Sequence, residues 1–187
     1  MTNKGFFNVR TAIGCFVFFM CMNLLINGSP YGLAKLVALT NGHSILDMEF
    51  GGYSVDRAYE ILGALGAEGR NFAMKYIVPL DFPFPLSYGL FYFVTLTLLG
   101  KSILKNLKNP WLFGIVGAAA ALFDWLENIM VIILLRNYPR RLAGVATTAS
   151  VFTQLKALFI ISSIVLIMAG LIAVLIHKLF VKKTEAG

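Results

Sequence analysis

The chain has 187 residues, 58% of them hydrophobic and 13% charged, with a formal net charge of +7 and a mean hydropathy of +0.78. An apolar content so far above that of an ordinary soluble domain excludes a water-soluble fold of this size, because much of the surplus would face water. The basic residues stand between apolar runs instead of forming one basic face, so the charge reads as residues gathered at membrane boundaries and excludes a nucleic-acid footprint.

The first apolar run predicts a span over about residues 11–28, preceded by Lys4 and Arg10. That flank also suits a signal peptide, but no small-residue cleavage pattern follows Ile26-Asn27-Gly28, so the run is read as a retained span. Cys15 and Cys21 lie six residues apart within it. On a helix they point to different faces, too far apart for a disulfide, and serve as small apolar side chains.

Residues 29–80 have mixed composition and predict a non-cytoplasmic loop carrying short amphipathic helices, lying along the interface or capping the bundle. Ser29-Pro30 suits a helix start. Gly51-Gly52 breaks the chain, and Ser54 can then cap a helix whose apolar positions Val55, Ala58, Ile61, Leu62 and Leu65 recur at helical spacing. Gly66 and Gly69 should interrupt it, with a second short stretch from Asn71 to Val78.

The second span is expected over 82–99. It opens among Pro79, Pro83 and Pro85, which constrain its first turn, and is followed by Lys101, Lys105 and Lys108. The third is expected over 111–135, with Asn109 as N-cap and Pro110 as the first helical residue. A connector over 136–148 contains Tyr138-Pro139. The fourth span, over 157–177, follows a polar approach through Ser150, Thr153, Gln154 and Lys156, and exits at His177, Lys178, Lys182 and Lys183. The expected fold is therefore an all-α membrane protein: a single membrane domain forming a four-helix transmembrane bundle, with short interfacial helices between spans 1 and 2. Eight basic residues at the N-terminus, the 101–108 loop and the C-terminus predict that both termini are cytoplasmic; Arg136, Arg140 and Arg141 argue the other way.

The segment Phe123-Asp124-Trp125-Leu126-Glu127-Asn128 lies near the middle of the third apolar run. A carboxyl group at that depth costs at least ~2.5 kcal/mol on insertion scales, and spanning a membrane does not require one. Asp124, Glu127 and Asn128 share a face at i, i+3 and i+4, continued towards the N-terminus by Gly117, Ala120 and Ala121, small residues that let another helix come close. The face predicts a buried polar pocket opening towards the non-cytoplasmic side. Two like charges so close do not both stay ionised in a dry site, so Asp124 and Glu127 are candidates for a catalytic acid–base pair or a polar anchor; the competing reading is a structural hydrogen-bond or ion-pair network.

Tyr88, Tyr92 and Thr95, at i, i+4 and i+7 on the second span, form a stripe able to reach the acids or merely to pack. Asn128 would orient the carboxyls, and Trp125 would help to wall the cavity. Lys156 could approach Glu127, but snorkelling to the outer interface is the expected role. Asp81 is expected to cap the second span, with the pocket mouth as its other role. Asp47 and Glu49 either fold over the pocket as a lid or are solvated.

No metal site and no cofactor are expected: His43 and His177 fall on opposite sides, and no C-x-x-C, phosphate-cradling glycine loop or G-x-S-x-G elbow occurs. The expected partners are membrane lipids, a lipophilic small molecule and other membrane subunits. Three functions fit: binding or transfer of a small or lipophilic ligand, intramembrane acid–base catalysis of isomerase or cyclase type, or service as an accessory subunit.

Overall fold

The structure is a computed structural model that describes residues 6–28, 30–43, 45–104 and 108–185, with side chains described as far as Leu179. Lys4, Ser29 and Lys105 lie outside the described residues, and the side chains of Lys182 and Lys183 beyond the described ones. Among the described residues every regular element is helical. Four helical runs are long and apolar enough to cross a bilayer: Val9–Asn27, Gly66–Ile103, Pro110–Asn137 and Ala143–Leu179.

Helix α1 is Val9–Asn27, begun by Asn8, whose side chain accepts from the Thr11 amide at 3.0 Å. Helix α2 is Leu33–Leu39, and a 3₁₀ turn covers Leu46–Met48. Helix α3, Val55–Ala64, starts at Ser54 as expected, the hydroxyl accepting from the Arg57 amide at 3.1 Å. Gly66 adopts a φ of +62°, a left-handed turn open to glycine at no steric cost, and redirects the chain into α4, Gly66–Phe72.

From there the chain stays helical much longer than expected. A wide π turn over Ala73–Ile77 leads into α5, Val78–Leu80, and then, after Asp81 and Phe82, into α6, Pro83–Ile103. The second long run thus begins at Gly66, not at residue 82, and Gly69 does not interrupt it. The π turn ends two residues before Pro79, which has no N–H to donate back into the helix. A 3₁₀ turn, Pro110–Gly114, opens α7, Ile115–Asn137; Asn109 stands at the expected N-cap position but makes no side-chain capping bond.

Helix α8 runs unbroken from Ala143 to Glu185. The expected polar approach before residue 157 is therefore helix. Thr147 and Thr148 are satisfied locally, each donating to the carbonyl four residues back, so they cost the helix little.

Helix α7 packs along α6 and α8, and α1 rests on α6. Gly89 and Gly117 allow the close approach of α6 and α7. A Cβ on Gly89 would stand 2.7 Å from that of Ala121, and one on Gly117 would collide with Tyr92. The segment between α1 and α4 is a folded cap. Leu36, Leu46, Ala58 and Leu62 share a buried core with Val131 and Leu134 of α7 and Ala146 and Ala149 of α8. The short helices thus turn apolar faces to protein, as a cap on the bundle does. On α1 and α8 most apolar side chains are turned outward, as at Val17, Leu24, Ile161 and Leu171.

Candidate functional site

Where the cap meets the long helices, three segments bring four acidic side chains towards one lysine. Lys156 of α8 is 2% exposed. Its Nζ lies 2.6 Å from Glu127 Oε2 and 3.5 Å from Asp124 Oδ1, both on α7, and it pairs also with Asp47 of the Leu46–Met48 turn. Lys156 therefore does not snorkel. It points inward because Ala149, Thr153, Lys156 and Ser163, spaced by four, three and seven residues, share one face and form the buried side of α8. A lysine buried to this degree requires paired carboxylates.

Each acid is held from a further direction. Tyr88 donates to Asp124 Oδ2 at 2.7 Å. Thr153 donates to Glu127 Oε1 at 2.6 Å. Asp47 is carried by the cap and reaches over the cluster to Lys156, whereas Glu49 remains near the surface and pairs with Arg57 at 2.9 Å. Sequence spacing assigns Thr153 no site role of its own and Asp47 only an alternative one. Tyr53 also reaches the network: its amide donates to Ser150 Oγ at 2.8 Å. Burial, with Glu127 nearby, pushes its phenol above the ordinary range and keeps it protonated, and the buried hydroxyl makes no hydrogen bond among the described residues.

Asp81 does not cap α6, whose first turn has no side-chain cap. It is 3% exposed, and oxygens of Asp47, Asp81 and Asp124 all lie within 4.8 Å of one another. That convergence of three carboxyls from distant segments leaves no spacing signal in the sequence, unlike a histidine or cysteine motif. Asp81 is fixed through its backbone. Pro85 lacks the N–H that would normally bond the carbonyl four residues earlier, and Asn128 Nδ2 fills the gap by donating to Asp81 O at 2.9 Å. Asn128 thus orients Asp81 and not the carboxyls of Asp124 and Glu127. Trp125 points elsewhere, its Nε1 donating to Phe82 O at 2.8 Å, and ties the start of α6 to α7.

Beside the cluster lies a half-open cavity of about 250 Å³. Its walls are mostly apolar and come from α1 (Phe19, Ile26), α6 (Phe84, Tyr92) and α8 (Ile160), with Met48 and Phe50 of the cap across one end. Its polar groups are Asp47, Tyr88, Asp124 and Lys156, together with Asn23 and Asn27 of α1. Glu127, Asn128, Trp125 and Asp81 stand behind this surface and not on it. Tyr92 contributes a ring, and Thr95 stays apart, its buried hydroxyl unbonded.

Such a site can receive an elongated apolar molecule and offer its polar end carboxylate oxygens, a phenol and an ammonium. No protein family, curated protein or solved structure matches the chain, so the chemistry of the site rests on its own residues.

Proposed function

We propose that the four long helices cross a bilayer, with both termini cytoplasmic and the cap on the other side, and that the protein binds or transfers a lipophilic molecule in the cavity between α1, α6 and α8. The single observation that carries this reading is the composition of the cavity surface: apolar walls from three long helices, ending on Asp47, Asp124 and Lys156. Pockets of this kind, apolar with a few convergent polar groups, are where small molecules bind. Because α1 rests chiefly on α6, its edge borders the cavity, and an apolar molecule could enter sideways from the bilayer.

The alternative of acid–base catalysis by Asp124 and Glu127 is less well supported. Asp124 faces the cavity, but Glu127 is fully buried behind it and engaged by Lys156 and Thr153, out of reach of a bound molecule. General acid–base chemistry needs both groups within hydrogen-bond distance of substrate.

The reading is tested by purifying the full chain and an Ile160→Trp variant, extracting each with organic solvent and comparing the extracts by mass spectrometry. A lipophilic species retained at near one per chain by the native protein and lost from a monodisperse Ile160→Trp protein supports the proposal. Identical extracts from the two overturn it.

A further inference from the structure

A second hollow lies towards the other end of the long helices. It holds about 280 Å³ and is bounded by Leu96, Leu99 and Ile103 of α6, Phe113 of the Pro110–Gly114 turn, and Leu166 and Ala173 of α8. Every residue that lines it is apolar or glycine. Here α6 and α8 run side by side in the same direction, and Gly170 lets Leu99 close in: a Cβ on Gly170 would stand 2.9 Å from Leu99 Cδ1.

The rim of this crevice is basic. With Leu99 level with Gly170, Lys178 falls less than one helical turn beyond the level of Leu104, where α6 ends. Lys101 stands in the last turn of α6, and Lys108 comes just before the turn that carries Phe113. All three lysines are exposed, and none forms an ion pair among the described residues. The described acidic side chains all lie in the cap or in the cluster beside it.

An apolar hollow of this kind stays free of water, and leaving it empty forfeits dispersion contacts along its walls. A lipid tail is as apolar as these walls and fills it without loss. The charge at the rim selects the head. A second copy of the chain, inserted the same way, would set its own lysines against these. A zwitterionic head brings a cation along with its phosphate. An anionic head meets only ammonium groups and gives their unpaired N–H donors acceptors.

We infer that this crevice binds an anionic phospholipid of the cytoplasmic leaflet, one acyl chain lying between α6 and α8 and the phosphate held by Lys101, Lys108 and Lys178. The inference rests on the proposed crossing of the bilayer but not on ligand binding in the cavity beside Lys156.

The test titrates full-length protein in nonionic detergent with phosphatidylglycerol or phosphatidylcholine of identical acyl chains and counts bound lipid by native mass spectrometry. Phosphatidylglycerol is expected to bind about tenfold more tightly. Lys101→Gln and Lys178→Gln should each weaken it about fivefold, the effect of one basic residue on an anionic lipid, and leave phosphatidylcholine unchanged. Ala173→Phe fills the crevice and should abolish the preference. Ala169→Phe, more exposed on the same wall, takes its place if that protein fails to fold. Ile160→Trp should bind phosphatidylglycerol as the native chain does. Equal binding of the two lipids overturns the anionic head, and a preference that survives the filled crevice overturns the site; both leave the cavity beside Lys156 standing. Phosphatidylglycerol lost from Ile160→Trp but kept by Ala173→Phe places the lipid in that other cavity and overturns this inference.

Discussion

The Nζ of Lys156 stands 2.6 Å from Glu127 Oε2 with both side chains almost completely buried, so the ion pair that joins α8 to α7 is also the floor of the candidate site. Pairs of this kind contribute little relative to apolar residues that fit, but breaking one half is expensive because the other charge is left alone in a dry place.

Lys156→Met should therefore destabilise the protein by about 3–5 kcal/mol, the usual scale for removing one partner of a buried pair. Adding Glu127→Gln to it should recover part of that loss, since one uncompensated carboxyl is removed. Denaturation in detergent micelles, followed by circular dichroism for the native chain, both single variants and the double, measures the coupling. A Lys156→Met protein as stable as the native one would show that the cluster is not an ion pair at all.

Asn128 supports the site through the backbone of Asp81. Asn128→Leu removes the donor that replaces the missing Pro85 N–H and should cost about 1–3 kcal/mol, the penalty of an unsatisfied buried carbonyl. Restoring the donor with Asn128→Gln is expected to recover less than the full effect, as the longer amide reaches past the carbonyl. Unfolding in detergent micelles, followed by circular dichroism, measures the loss.

Much of this was legible in the sequence and some was not, for reasons that lie in particular residues. The carboxyls at Asp124 and Glu127 announce themselves by standing within hydrocarbon-length apolar sequence, and their i, i+3 spacing gives a shared face. Both are buried on the α6- and α8-facing side of α7. Trp125 follows Asp124 directly and so points about 100° away on the helix; its separation from the cavity is available from that geometry. The inward aim of Lys156 is available too, from the stripe of Ala149, Thr153, Lys156 and Ser163, but the polar run over 150–156 resembles a loop and conceals it. Asp47 and Asp81 could not be placed: they reach the cluster through the folding of the cap and through a proline-rich junction, and neither leaves a periodic trace. The extension of the second long helix back to Gly66 was hidden by Pro79 and the glycines, whose ordinary role is to end helices.

The cap holds Asp47 over the cluster by its own core. Leu62 is 1% exposed and packs in the group shared with Val131 and Leu134. Leu62→Ala should cost about 2–5 kcal/mol and loosen the cap before the long helices, since these keep their own packing. Limited proteolysis should then cut within residues 40–53 at lower protease concentration than in the native protein, while the Ala143–Leu179 run stays protected. Equal protection of residues 40–53 in both proteins would mean that the cap does not depend on this core.

An apolar molecule that enters between α1, α6 and α8 and stops at Asp47, Asp124 and Lys156 is the centre of the functional proposal. Photolabelling of the native chain and of Ile160→Trp in lipid vesicles with a small uncharged aryl diazirine, with adducts mapped by peptide mass spectrometry, tests it most directly. Adducts are expected at Met48, Phe84 and Tyr88 in the native protein and should vanish in Ile160→Trp, with labelling at the outward-facing Ile172 of α8 unchanged. Adducts confined to outward-facing positions such as Ile172, the same in both proteins, would contradict it.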